Sequence, residues 1–428
     1  MFYGRETERK KLYTMFHSDG QMISLIYGRR RIGKSELIKQ ALKDAGVKSI
    51  YYECKQTTEQ NNVDSLAELI GETFDFPKPA FKDMEELLRF LFQKSEQESL
   101  ILVLDEYPYL RENSRGLDSV LQSVIDHYKD ISRMKLIICG SYVDTMKALL
   151  ARQNPLYGRI DLTINLKPMD YYESALFYSG FSVEDKVRLF SVFGGIPYYN
   201  RLIDAKKSVQ ENIIELIASP GARLENEVSM YLNSEISKIT NANEVFEALA
   251  KGFSRYKDIL DQSNVSSGPA LVDILDLSLY YYKYIFRNMS RMTLMDPDVF
   301  YNKYIADDFE TKYVPKSFET ICKQYLIRKN RRGLMDEIFE KIGKYYYDDP
   351  IKKKNGEFDI VTQDDKGYIF YEAKFRKEPI TESMVQNEIQ QVQQTGLNCY
   401  RYGFFSRAGF ACEEENDRIL IGINELYE

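Results

Sequence analysis

Tryptophan is absent from the 428 residues, and histidine occurs only at His17 and His127. That scarcity argues against a histidine-built metal centre and against a Ser-His-Asp triad. Cysteine is also sparse. The five residues Cys54, Cys139, Cys322, Cys399 and Cys412 are odd in number and include no C-x-x-C pair, which argues against a disulfide framework or a zinc ribbon. Long apolar runs are missing. The longest, such as Leu100–Leu104, fall far short of the ~20 residues that cross a bilayer. The opening MFYGRETERKK lacks the apolar core of a secretory signal. We therefore expect a cytoplasmic protein with no membrane partner. Nor is there an excess of positive charge: 58 Lys+Arg stand against 65 Asp+Glu, for a net charge of −7 and a pI near 5.4. This excludes a globally basic nucleic-acid coat but leaves local basic patches open.

What is there describes a globular chain of about three domains at roughly 150 residues each, with 44% hydrophobic residues and 33 tyrosines taking up the core work that tryptophan often shares. In the first ~220 residues, short apolar runs alternate with helical patterns. Strands are expected at Met22–Tyr27, Ser49–Glu53, Leu100–Leu104, Leu136–Cys139 and Ile160–Leu166, with helices at Ser35–Ala45, Asn62–Phe74 and Met84–Lys94. Continuous apolar runs suit strands covered on both faces, so the fold class is α/β with a parallel sheet.

Gly28-Arg-Arg-Arg-Ile-Gly33-Lys34-Ser35 fits G-x-x-x-x-G-K-[ST] between a strand and a helix. The pattern has a physical basis. Glycines let the loop curl until the backbone N–H groups of Gly28, Arg29, Arg30, Arg31, Ile32 and Gly33 face phosphate oxygens. The helix that follows adds its positive end. Lys34 reaches the β- and γ-phosphates, and the Ser35 hydroxyl ligates Mg²⁺. A second buried run ends in Asp105-Glu106. Asp105 suits Mg²⁺ and Glu106 suits a general base for the attacking water, although an acidic turn after a core strand has the same appearance. A third ends in Gly140-Ser141. If that strand lies between the other two, Ser141 touches the γ-phosphate or the lytic water. ATP or ADP with Mg²⁺ is the expected cofactor set.

Taken in order, these motifs resemble the archaeal-type P-loop ATPase family, related to the AAA and STAND NTPases. The likeness runs from Phe2-Tyr-Gly4-Arg5-Glu6 to Gly194-Gly-Ile-Pro197-Tyr198. It implies that Gly4 and Arg5 lie beside the adenine, and that Gly194–Tyr198 is a turn of a helical lid. It also implies that Arg159, in Pro155-Leu-Tyr-Gly158-Arg159, offsets charge at the γ-phosphate, in its own subunit or in a neighbour's. The second case would need a homo-oligomer.

Two modules follow. Asn243–Gly252, Tyr256–Leu260 and Ala270–Leu279 read as helices at winged-helix spacing. The recognition helix from Gly268 carries Asp273 and Asp276 and no basic residue, so it suits a spacer or docking surface better than a base reader. Lys283, Arg287 and Arg291 suit either a basic wing or scattered surface charge. Further on, Glu357-Phe-Asp359 and Tyr371-Glu372-Ala-Lys374 lie on two strands joined by a polar turn. Alternation puts Glu372 and Lys374 on one face, with Asp359 near them. Such a set can hold a divalent metal and activate water, or it can simply be a salt-bridged hairpin. It resembles the PD-(D/E)xK nuclease core, and the likeness implies Glu319 as a helix carboxylate and further metal ligand. It also implies DNA as a partner. Tyr stands in Ile342–Tyr347 where that family often has Trp.

The expected architecture is a P-loop ATPase core over 1–170, a helical lid over 171–225, a winged-helix-like unit over 226–305 and a small α/β nuclease-like domain over 310–428. The expected function is a Mg²⁺-dependent ATPase switch coupled to the last module. An ATP-regulated DNA-processing nuclease, or a signalling scaffold with an idle nuclease fold, is the alternative.

Overall fold

Apolar residues, largely tyrosine in β2 and aliphatic in β3, make up most of the five strands of the first sheet: β1 (Met22–Tyr27), β2 (Ser49–Glu53), β3 (Leu100–Asp105), β4 (Met134–Gly140) and β5 (Leu162–Asn165). Every residue of β3 and β4 is buried, as a sheet sandwiched between helix layers requires. The order is β2-β3-β4-β1-β5 and all pairings are parallel. β4 thus lies between β1 and β3, which brings the loops after Tyr27, Asp105 and Gly140 together at one edge. This is the computed structural model of the chain, and it describes residues 2–225, 227, 279–349 and 354–428.

The helices around this sheet start where the sequence supplies caps. Thr58 accepts from the Asn61 N–H to open α3 (Glu59–Phe74), and Asp83 accepts from Glu86 N–H to open α4 (Met84–Lys94). Apolar residues at Leu87, Leu88, Leu91 and Phe92 form one stripe of α4, packed into a core with Leu102, Leu104, Leu121 and Val124. Helices α1 (Glu6–Phe16) and α2 (Lys34–Ala45) pack on each other. Helices α5 (Tyr107–Asn113) and α6 (Leu117–Tyr128) fill the stretch between β3 and β4.

The chain divides into two compact units, one of Met1–Met169 with Ile196–Tyr198, the other of Asp170–Gly195 with Tyr199–Glu428. In the second, a five-stranded mixed sheet has the order β12-β10-β8-β7-β6. Its strands are β6 (Lys341–Asp349), β7 (Lys354–Asp364), β8 (Gly367–Lys374), β10 (Cys399–Ser406) and β12 (Arg418–Gly422), while the short β9 (Ile380–Thr381) and β11 (Phe410–Ala411) pair with each other. β6, β7 and β8 pair antiparallel, whereas β8, β10 and β12 pair parallel. One side carries the helix Glu382–Gln394, whose Val385, Ile389 and Val392 meet Phe358, Phe370 and Phe404. Helix Val314–Arg331 packs against β7 and β8, with the Phe318 ring 5.3 Å from Phe375. The second module is therefore a small mixed α/β unit. The helix expected at Ser317–Tyr325 extends over Val314–Arg331, with Arg328, Lys329 and Arg331 in a last turn whose free carbonyls favour positive charge.

The expected winged-helix segments Asn243–Gly252 and Tyr256–Leu260, and nearly all of the recognition helix from Gly268, lie outside the described residues. The basic wing does not materialise among those that are described. Tyr281–Ile285 and Met289–Leu294 are helical turns. They are held by a buried tyrosine cluster in which Tyr280 and Tyr284 lie 4.9 Å apart. Lys283 is paired with Asp308 at 2.5 Å and Arg291 donates to Asn288 Oδ1 at 2.7 Å.

Candidate functional site

The loop from Gly28 to Lys34 turns on its glycines. A Cβ on Gly28 would lie 2.5 Å from the Leu166 carbonyl oxygen, and Gly33 adopts φ 91°, where side chains are strained. Arg31 also sits at φ 65°, a conformation that a non-glycine residue keeps only when its surroundings impose it. Its guanidinium lies 4.4 Å from the Tyr198 ring centre. Arg5 is buried and donates to the Ile32 carbonyl at 3.3 Å, so the Gly4–Arg5 turn braces the loop from below. Lys34 opens α2 and is buried. Its Nζ donates to Gly28 O at 3.0 Å, Arg29 O at 3.1 Å and Ser141 Oγ at 2.8 Å.

Asp105 ends β3 with both oxygens engaged. Oδ2 accepts from Ser35 Oγ at 2.7 Å and from the Tyr51 hydroxyl, and Oδ1 accepts from Glu106 N–H at 3.0 Å. Burial by itself would raise this carboxyl. The hydrogen bonds from Tyr51, Ser35, Cys139 and the Glu106 N–H outweigh it and hold the pKa below the usual carboxylate range. A hydroxyl against an ionised carboxylate is the oxygen donor set that suits a hard divalent cation, so Ser35 and Asp105 fit Mg²⁺. Glu106 takes φ 51° at the strand exit, which turns its carboxylate toward β4. There Ser141 Oγ donates to Glu106 Oε1 at 2.7 Å, and Ser141 N–H to Oε2 at 3.3 Å. Lys34, Ser141 and Glu106 therefore form one polar chain across three strand ends.

Tyr51 was not recognisable as part of this site from the motifs. The signal lay in strand alternation: Ile50 and Tyr52 are buried in the core, leaving Tyr51 on the other face of β2. The register Glu53↔Asp105 then aligns the two strand ends.

Arg159 is placed elsewhere. Asp161 N–H donates to Ile23 O at 2.9 Å as the chain enters β5, level with the start of β1. Gly28 lies five residues on, about 17 Å along the strand at ~3.3 Å per residue. Arg159 thus stands at the amino end of the strands, opposite its own P-loop. Its guanidinium is clamped on Asp126 at 2.7 and 2.8 Å, and it also donates to Pro155 O at 3.0 Å. A role at the γ-phosphate of its own subunit does not fit this position.

In the second unit, the register Ile360↔Tyr371 sets Asp359 level with Glu372. Asp359 Oδ2 accepts from Ala373 N–H at 3.0 Å. Glu372 is ion-paired with Lys374, and the two line a cavity of about 170 Å³ with Ile380, Met384, Asn387 and Glu388. Burial, then Asp359 and Glu388, push the Glu372 carboxyl up to about 8. Glu388 went unnoticed in the sequence, hidden in a Gln-rich helix face. The expected three-acid metal set of Glu319, Asp359 and Glu372 does not assemble, since no group of three or more metal-ligating side chains occurs among the described residues. The reason is local neutralisation. Lys344 Nζ bonds Glu319 at 2.6 Å and Glu357 at 2.7 Å, Lys374 takes Glu372, and Asp359 spends an oxygen on a backbone amide. As arranged, Glu319 and Glu372 each face a lysine rather than a shared metal position. Among the described residues no helix is long and apolar enough to cross a membrane.

Residues 2–202 match an ATPase domain found predominantly in Archaea, and residues 281–392 match a family of archaeal and bacterial proteins of unknown function. An uncharacterised protein of Methanocaldococcus jannaschii is 24% identical, with 100% of both chains covered. Among solved structures, a Walker-type ATPase of Pyrococcus abyssi is similar at 20% identity, over 68% of this chain and 90% of that one, with a TM-score of 0.46. The ORC2 protein of Aeropyrum pernix, solved in ADPNP–ADP complexes, is similar at 14% identity over 57% and 72%, with a TM-score of 0.37. The parallel sheet, the glycine loop and the family match agree that residues 2–202 are an archaeal-type P-loop ATPase domain.

Proposed function

We propose that the protein binds and hydrolyses ATP in a Mg²⁺-dependent cycle and uses the cycle as a conformational switch on its C-terminal module. The observation that carries this reading is the chain from Lys34 through Ser141 to Glu106, at 2.8 and 2.7 Å. It gathers a phosphate-binding cation, a hydroxyl and a carboxylate at the edge where the P-loop ends. Backbone N–H groups of Gly28–Gly33 hold the β- and γ-phosphates, and Lys34 exchanges its carbonyl partners for phosphate oxygens. Ser35 and Asp105 would hold Mg²⁺, which supplies charge neutralisation at those oxygens. Glu106 orients a water and accepts its proton, while Ser141 positions the carboxylate. Gly4 and Arg5 support the loop on the side assigned to the adenine.

The test is a pair of variants. Lys34→Ala should abolish ATP binding. Glu106→Gln should keep binding and lower turnover by about 10²–10⁴-fold. Wild-type turnover in Glu106→Gln would remove the general-base assignment.

For the C-terminal module, the neutralised acids favour the scaffold reading over the nuclease one. Glu319 and Glu372 each face a lysine, so a nuclease-like fold serves here as a nucleotide-controlled docking platform, and DNA is a ligand to be held rather than cut. Plasmid nicking with Mg²⁺ or Mn²⁺ that disappears in Asp359→Ala would reverse this preference in favour of ATP-regulated DNA processing. The lid over 171–225 and the spacer over 226–305 complete the proposed layout, and Arg159 is available to a neighbouring subunit if the protein assembles.

A further inference from the structure

With Arg159 pinned at the far end of the sheet, a cation supplied within the same subunit to meet charge growing on the γ-phosphate has to come from another residue. The P-loop itself carries three arginines, and they are not equivalent. Arg31 lies against Tyr198. Arg30 is exposed and leans the other way, across the strand ends. Its Nη2 donates to the Tyr142 hydroxyl at 3.2 Å and to the Tyr109 hydroxyl at 3.4 Å, and its guanidinium lies 5.6 Å from the Tyr142 ring centre. The two rings meet edge to face at 6.0 Å.

The positions of these tyrosines matter. Tyr142 directly follows Ser141, the residue bonded to both Lys34 and Glu106. Tyr109 lies three residues after Glu106, in the first turn of α5, and its N–H bonds the Glu106 carbonyl at 3.0 Å. The same two strand ends that present Ser141 and Glu106 therefore also hold Arg30. The clamp leaves the charge intact, because phenol hydroxyls and a ring face orient a guanidinium without neutralising it. Among the described residues Arg30 has no carboxylate partner, whereas Arg159 is clamped on Asp126.

We infer that Arg30 is a catalytic residue supplied in the same subunit, whose guanidinium contacts the γ-phosphate during transfer, with Tyr109 and Tyr142 as its positioning residues. This rests on the ATPase reading above. In the step, the water oxygen forms a bond to the γ-phosphorus while the bond from that phosphorus to the β–γ bridging oxygen breaks. The electron pair leaves on the β-phosphate, Glu106 takes the water proton, and the products are ADP and inorganic phosphate. Negative charge builds on the bridging oxygen as the bond lengthens, and a fixed guanidinium lowers the barrier at that point.

The experiment compares wild type, Arg30→Ala, Arg30→Lys and Tyr142→Phe with full-length protein. The expected result for Arg30→Ala is a kcat lower by about 10³-fold with ADP affinity within about twofold of wild type, and no trapping of ADP with aluminium fluoride, which mimics the transferring phosphoryl group. Arg30→Lys should recover only part of kcat, since an ammonium lacks the planar fork. Tyr142→Phe should lower kcat with KM unchanged. Mixing Arg30→Ala with Lys34→Ala, which keeps Arg30 but cannot hold ATP, should restore nothing. Wild-type kcat in Arg30→Ala, or recovery on mixing, would overturn the inference while leaving the ATPase reading intact. A wild-type protein that binds no ATP would overturn both.

Discussion

The Ser35 hydroxyl donates to Asp105 Oδ2 at 2.7 Å although 70 residues separate the two in sequence. Parallel strand order produces this meeting. β1 and β3 flank β4 and end at one edge, so the first residues of α2 face the last residue of β3.

Removing either partner should therefore affect Mg²⁺-dependent steps more than nucleotide binding as such. Ser35→Ala and Asp105→Asn are expected to lower ATP hydrolysis by about 100-fold or more, given that transition-state charge is neutralised at this point. ADP affinity measured in EDTA should stay within about threefold. Equal losses with and without Mg²⁺ would contradict the assignment.

The low pKa of Asp105 gives a pH signature. A carboxyl held below its unfolded value contributes stability above that unfolded value, and loses it as pH falls through the folded one. Tyr51→Phe removes one of the hydrogen bonds that offset burial. The folded pKa should rise, so the acid limb of the ATPase pH profile should move to higher pH, and acid melting should begin earlier. An unchanged acid limb would show that Tyr51 does not act on Asp105.

Glu372 has the opposite sign. Its carboxyl is pushed up to about 8, so the folded chain favours the protonated form. That contribution is complete below the unfolded pKa and lost as pH rises through about 8. Glu372→Gln keeps the shape without the charge and should melt about 4 °C higher than wild type at pH 9, with the difference shrinking toward pH 5. A constant difference across that range would count against a protonated Glu372.

Gly28 is a steric prediction. Its Cβ would press on the Leu166 carbonyl at 2.5 Å, and backbone on that side cannot give way without disturbing β5. Gly28→Ala should cost about 1–3 kcal/mol, read as a lower thermal midpoint together with weaker ATP binding.

Much of the nucleotide site was legible because its residues are neighbours in sequence. Met22–Tyr27, Ser49–Glu53 and Met84–Lys94 end where their apolar patterns end, and the motif around Lys34 dictates its own loop. Contacts made by topology were not legible. The bond from Tyr51 to Asp105 depends on β2 pairing with β3, and the position of Arg159 depends on β5 running parallel to β1. A short motif gives a residue type and a spacing but not the end of the sheet at which it stands. In the C-terminal module, Asp359, Glu372 and Lys374 were found together by alternation. Lys344, which binds Glu319, lies in the Ile342–Tyr347 strand, but the strand pattern gave it no role, and it changes what the acids can do.

The central claim is that the Gly28–Ser35 loop holds the phosphates of ATP. Titration calorimetry with wild type and Lys34→Ala, each confirmed folded by circular dichroism, tests it most directly. The account predicts saturable heat near one nucleotide per chain for wild type and none for Lys34→Ala. Folded wild-type protein that gives no heat with ATP or ADP, or a Lys34→Ala variant that binds as wild type does, would contradict it.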